Sequence, residues 1–281
     1  QREMCIKDGG WSAAWPIAWW RHALPDQARV PSVFITGTDT EIGKTAVTCA
    51  LLRDYAAQGV AAAGMKPVAA GAEQSDDGWR NDDALALQAA SRPGLAYADI
   101  NPWCLPLPVA PEFAARDMGV QLTREPVAAA HRRLSLGAER VLVEGAGGWR
   151  VPLSSDEEMP DWVARFRWPV VLVVGMRLGC LNHARLTAES IRLRAPLLGW
   201  IANVLPPVQR RLDDNLAALQ QRMPAPCLGI LGCGQHRLST TLLDNALIRF
   251  APDSPDRIQS AADSMERTLP ETRRGTRPES I

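Results

Sequence analysis

From Ser32 onward the chain alternates short apolar runs with segments whose apolar positions recur at helical spacing. The apolar runs occupy residues 33–36, 61–68, 141–143, 170–174, 197–204 and 228–231. Several are apolar throughout, the mark of strands covered on both faces. Residues 44–57, 83–90, 126–136, 160–167, 183–194 and 207–221 carry the helical period between them. Strand alternating with helix predicts an α/β fold, one parallel sheet with helices on both faces. The Pro-rich stretch 101–111 predicts a loop or an edge strand, because proline cannot donate within a central ladder.

Both ends break the pattern. Trp11, Trp15, Trp19 and Trp20 crowd a stretch too short to span a bilayer and without the small-residue site of a cleaved secretory signal. Residues 1–30 are therefore expected to be an extension outside the fold, with an interfacial anchor as the alternative. Residues 251–281 have no aromatic side chain and many Pro, Ser and Thr. They are expected to be a disordered tail, since so little apolar surface cannot offset the entropy of ordering. The remainder, residues 31–250, is expected to form one domain.

Composition narrows the class. Lys+Arg and Asp+Glu stand at 31 each, which leaves no electrostatic footprint for nucleic acid or an anionic membrane. Six cysteines without a CxxC pair make neither a disulfide framework nor a zinc site, and predict a reduced, cytoplasmic protein. Only Lys7, Lys44 and Lys66 among the 31 basic residues are lysines. In a chain that otherwise uses arginine, the last two invite a chemical explanation.

The first explanation is Gly37-Thr38-Asp39-Thr40-Glu41-Ile42-Gly43-Lys44-Thr45, which matches the P-loop G-x-x-x-x-G-K-[ST] between a predicted strand and a predicted helix. Its glycines let backbone N–H groups turn toward phosphate oxygens, Lys44 offers an ammonium to the β- and γ-phosphates, and Thr45 a hydroxyl to Mg²⁺. The helix beginning near Lys44 aims its positive end at the same anion. Further along, Gly64-Met65-Lys66-Pro67-Val68 puts a lysine at the C-terminal end of a strand, where open parallel sheets bind ligands. Arg80-Asn81-Asp82-Asp83 sets carboxylates at a helix start, for capping or for a site. Val143-Glu144-Gly145-Ala146-Gly147-Gly148 ends an apolar strand in a carboxylate and a Gly-rich turn. A glutamate there suits a metal-facing carboxylate.

Together with Leu178-Gly179-Cys180-Leu181-Asn182-His183 and Gly199-Trp200-Ile201-Ala202-Asn203, these segments resemble the dethiobiotin synthetase family over roughly residues 32–230. The resemblance implies a P-loop NTPase-like fold and an ATP-dependent cyclo-ligase of biotin biosynthesis. In that reaction 7,8-diaminopelargonate takes up CO₂ as a carbamate, ATP phosphorylates it, and the second amine closes a cyclic urea. It implies that Glu41, Ile42, Gly43, Lys44, Thr45 and Ala46 wrap the phosphates. Lys66, with Lys44, would be catalytic and hold the carbamate against the γ-phosphate. Thr45, Asp83 and Glu144 would hold Mg²⁺. Gly145, Ala146 and Gly147 would line the phosphate and substrate floor, with Thr40 and Ala70 beside the substrate. Asn203 would bond adenine. Leu181 and Asn182 would serve the substrate carboxylate of a second subunit in a homodimer.

Three positions depart from the family pattern. Ala70 stands where serine is frequent, Glu112 follows Pro111 where histidine is common, and Ile230-Leu231-Gly232-Cys233-Gly234 replaces a Pro-rich turn beside the base. Competing readings are a partition-type ATPase switch, which would carry a lysine where Thr38 stands, and a divergent inactive synthetase homologue. An amidoligase would need a glutaminase domain that residues 251–281 are too few to form. His183 and Cys180 are expected to cap or pack their helix, and Trp149 either to wall the substrate or to cover the sheet.

Overall fold

The computed structural model describes residues 31–250; the expectations for residues 1–30 and 251–281 lie outside the described residues. The described residues form ten strands and nine helices. The first half runs β1 (Ser32–Gly37), α1 (Lys44–Ala57), β2 (Ala62–Met65), β3 (Val68–Ala70), β4 (Glu73–Ser75), β5 (Gly78–Arg80), α2 (Asp82–Ala90), α3 (Tyr97–Ile100), β6 (Trp103–Leu105), α4 (Pro111–Asp117) and α5 (Arg124–Ser135). The second half runs β7 (Arg140–Glu144), α6 (Met159–Phe166), β8 (Val170–Gly175), α7 (Cys180–Arg192), β9 (Leu197–Asn203), α8 (Leu212–Arg222), β10 (Cys227–Leu231) and α9 (Thr241–Phe250).

Six strands form the central sheet in the order β10-β9-β8-β1-β7-β2, and every pairing in it is parallel. The apolar runs explain this directly. All of β8 and β9 is buried, as strands covered on both faces must be. Helices α1 and α2 pack on β2, and α7 packs on β8 and β9. Gly64 permits the first of these contacts: a Cβ there would lie 3.0 Å from Leu52 of α1 and 3.1 Å from Leu87 of α2. Among the described residues no helix is long and apolar enough to cross a membrane.

Three expectations change in detail. The predicted strand 61–68 breaks at Lys66-Pro67, and its far part becomes β3, paired with β6 in a separate two-stranded sheet. The Pro-rich stretch 101–111 supplies β6 and then opens α4 with Pro111 at the first turn, where a missing N–H is harmless. The helix predicted over 207–221 starts only at Leu212, behind Arg211 at φ 61°.

Far from the phosphate loop, the end of α1 is fastened to the start of α9. Asp54 Oδ2 accepts from the Thr240 amide at 2.9 Å and from its hydroxyl at 3.1 Å. Asp244 Oδ1 accepts from the Tyr55 hydroxyl at 2.9 Å and from Arg140 Nε at 3.0 Å. Burial, with the Asp244 carboxylate beside it, pushes the Tyr55 phenol well above its ordinary range.

Candidate functional site

The C-terminal ends of β1, β2, β7 and β9 open on one edge of the sheet, where parallel α/β folds bind ligands. The phosphate loop leaves β1 at Gly37 and enters α1 at Lys44. Gly43 caps α1 at φ 82°, a left-handed conformation that favours glycine. A Cβ on Gly43 would lie 2.0 Å from Asn203 Nδ2. That carboxamide reaches the loop from the end of β9 and donates to the Ile42 carbonyl at 2.8 Å. The loop's backbone is therefore held from two strands.

Lys44 is buried and donates to the Asp39 carbonyl at 2.9 Å. Burial, aided by the positive charge of Lys66, pulls its ammonium down to about 8. Thr45 follows at the first turn of α1, and its hydroxyl donates to Glu144 Oε1 at 2.7 Å.

Glu144, the last residue of β7, is completely buried. Its Oε1 also accepts from Lys66 Nζ at 2.7 Å, and Lys66 Nζ reaches Asp83 Oδ2 at 2.6 Å. Burial opposes the charge on Lys66, but Glu144 and Asp83 outweigh it and hold the ammonium above its ordinary value. Burial would likewise raise Asp83, yet Lys66 holds its carboxyl below the usual range. Asp83 is free for this pairing because the cap of α2 is Asn81, whose side chain accepts from the Ala84 amide at 3.3 Å.

Thr45, Lys66, Asp83 and Glu144 thus form one connected cluster, from α1, the β2–β3 turn, α2 and β7. Glu144 Oε2 is buried and has no hydrogen-bond partner. A buried carboxylate oxygen left so is costly, and a cation would satisfy it. Among the described residues no group of three or more His, Cys, Asp or Glu side chains gathers as a metal cage. Two carboxylates and a hydroxyl nevertheless suit Mg²⁺, which takes few protein ligands and completes its shell with phosphate and water.

The other sequence-predicted residues take separate places. Gly147 lies against Thr40, with a would-be Cβ 3.7 Å from the threonine hydroxyl, and Gly145 packs on Phe34. Ala70 closes β3, its carbonyl accepting from Asn81 Nδ2 at 3.3 Å. Trp149 is buried edge-on against Phe34. Leu181 is half-buried and Asn182 exposed in the first turn of α7, and neither is bonded to the cluster around Glu144. Cys180 beside them is buried.

Sequence reasoning missed Asn101. It is buried, and its carboxamide donates to the Lys66 carbonyl at 2.8 Å, while Lys66 N donates to the Ile100 carbonyl at 2.7 Å. The backbone of the second lysine is fixed from outside its own strand. The only available signal was a polar amide heading a Pro-rich stretch, which is too common to single out.

A family model described as an AAA domain matches residues 31–233. The chain is 53% identical over 200 residues to an ATP-dependent dethiobiotin synthetase of Xanthomonas oryzae pv. oryzae strain PXO99A, covering 71% of this chain and 89% of that relative. It is also 53% identical over 201 residues to a protein of the same description from Xylella fastidiosa strain 9a5c, covering 70% and 88%. Among solved structures, a ParA family ATPase from Chlorobium tepidum TLS is similar at TM-score 0.45 and 12% identity, over 84% of this chain and 99% of that one.

Proposed function

The chain belongs to the dethiobiotin synthetase family, and from that premise we propose how its own residues carry an ATP-dependent cyclo-ligase reaction. The substrates are ATP, CO₂ and 7,8-diaminopelargonate, and the products are dethiobiotin, ADP and phosphate. The observation that carries this reading is the second lysine. Lys44 already serves the triphosphate, whereas Lys66 stands buried outside the P-loop, within reach of the carboxylate that Thr45 also touches.

An anionic carbamate and an anionic triphosphate must meet, so positive charge has to gather between them. Lys66 Nζ has three N–H donors, and Asp83 and Glu144 occupy two. The third is left for a carbamate oxygen. Lys44 exchanges the Asp39 carbonyl for the β- and γ-phosphates. The amides of Glu41, Ile42, Gly43, Thr45 and Ala46 cradle the phosphate oxygens, and Gly145, Ala146 and Gly147 form the floor beneath them. Thr40 and Ala70 border the diamine. Asn203 keeps one N–H and its carbonyl oxygen for the base while its other N–H holds Ile42.

Thr45, Asp83 and Glu144 would hold Mg²⁺, Glu144 through the partnerless Oε2. When bound, the ion neutralises charge on the phosphates. A homodimer is supported by the apolar surface beside the expected carboxylate-binding segment: Leu178 is 98% exposed and Leu186 58% exposed. Leu181 and Asn182 between them are proposed to meet the substrate of the second subunit.

The test is phosphate release from ATP and Mg²⁺ in bicarbonate, with and without 7,8-diaminopelargonate. Release that depends on the diamine, with dethiobiotin formed, supports the reading. Release that ignores the diamine would overturn it.

A further inference from the structure

Asp39 is a junction within the phosphate loop. Its carbonyl accepts from Lys44 Nζ at 2.9 Å, its Oδ1 accepts from the Thr40 amide at 2.8 Å, and its Oδ2 accepts from Arg177 Nη2. Arg177 follows the end of β8, and its own carbonyl accepts from the Cys180 amide at 3.0 Å. The same arginine therefore shapes the turn into α7 with its backbone and grips the phosphate loop with its side chain. Leu181 and Asn182 extend from that turn.

We infer that Arg177 is a positioning residue that couples the two: through Asp39, filling of the phosphate loop in one subunit sets the α7 turn that serves the diamine of the other. The inference rests on the dimeric synthetase reading above. When Lys44 leaves the Asp39 carbonyl for phosphate, the loop gives up that contact and Arg177 remains as the anchor of its first turn. Both side chains are about half exposed, 45% and 49%, so the pair contributes little to stability. Its effect is on geometry, and any linkage it creates acts equally in both directions.

The experiment measures diamine affinity in the full chain, with and without a non-hydrolysable ATP analogue and Mg²⁺, for the native protein, Arg177→Gln, Asp39→Asn, the double variant and Arg177→Lys. In the native protein the nucleotide is expected to tighten diamine binding at least tenfold. Arg177→Gln and Asp39→Asn are each expected to cut that factor at least fivefold, with the double variant no worse than either single one. Arg177→Lys, which keeps the charge, is expected to restore most of it. Arg177→Gln is expected to melt within 2 °C of the native protein. Undiminished coupling in Arg177→Gln, or no coupling in a native protein that forms dethiobiotin, overturns the inference and leaves the synthetase reading standing. A native protein that neither binds the diamine nor forms dethiobiotin overturns that reading instead.

Discussion

Removing the charge of Lys66 perturbs the cluster at its centre. In Lys66→Gln, Asp83 and Glu144 lose their common counter-charge. The two losses are unequal. The Asp83 side chain is 46% exposed, so water screens its pair, worth about 0–1 kcal/mol. Glu144 is 0% exposed, and leaving a buried carboxylate without its cation costs about 3–5 kcal/mol. The glutamine carboxamide still donates one hydrogen bond toward Glu144, which places the cost near the lower end, about 3 kcal/mol. At about 2–4 °C per kcal/mol for a unit of this size, the melting temperature in EDTA falls by about 6–12 °C. Mg²⁺ offers a replacement counter-charge to the same carboxylates, so millimolar Mg²⁺ with an ATP analogue is expected to recover more than half of that loss. Dethiobiotin formation is not recovered and falls at least ~10²-fold, the loss of a charge-stabilising donor. Thermal unfolding in the two buffers and a diamine-dependent phosphate assay read both effects. A variant that melts within 1 °C of the native protein in EDTA would refute the buried-pair reasoning. One with near-native turnover would refute the catalytic role of Lys66.

Glu144→Gln and Asp83→Asn raise the Mg²⁺ concentration for half-maximal turnover at least ~10-fold and ~3-fold, the buried ligand mattering more; identical Mg²⁺ titrations would assign both residues to structure. Lys44 loses its proton in the free protein as pH rises through about 8, so ATP affinity weakens above that pH. Calorimetry in buffers of different ionisation heat then shows proton uptake on binding, and none would contradict the buried, lowered ammonium. The same shift makes the unfolded chain hold more protons than the folded one between about pH 8 and 10.5, so the Lys44 contribution to stability rises across that window. Gly43→Ala forces a left-handed alanine, about 1–2 kcal/mol, onto the Asn203 carboxamide 2.0 Å away, and ATP binding measured by calorimetry weakens at least ~10-fold. Leu178→Asp shifts sedimentation toward monomer and lowers specific activity in proportion; full activity from monomer would refute the shared site.

The central strands were legible because burial on both faces writes a continuous apolar run, and β8 and β9 carry such runs. The β4–β5 hairpin was invisible: nothing in it is buried, so no alternation marks it. The prediction of one strand over 61–68 failed because apolarity continues past Pro67, which cannot extend the ladder. Helical spacing over 207–221 hid a start set by local backbone at Arg211. Among the candidate residues, motif and spacing pointed to Thr45, Lys66, Asp83 and Glu144, each of which lies at a strand end or helix start on the ligand edge. Motifs could not supply the supports. Arg177 meets Asp39 across 138 positions, and Asn203 meets Ile42 across 161, distances at which only the folded sheet makes neighbours.

The fastening of α1 to α9 bears on how the protein is made. The phosphate loop leaves the ribosome well before Thr240, yet the helix behind it is secured by that residue, which follows Asp54 by 186 residues. The flanks of β1 arrive late as well, since it lies between β7 and β8. A nascent chain halted before residue 240 holds the complete nucleotide motif without the fastening at the far end of its helix. Such a fragment lacks Thr240 and Asp244, so Asp54 keeps its bond from Gln58 at 2.6 Å while the whole α9 side of the fastening is missing.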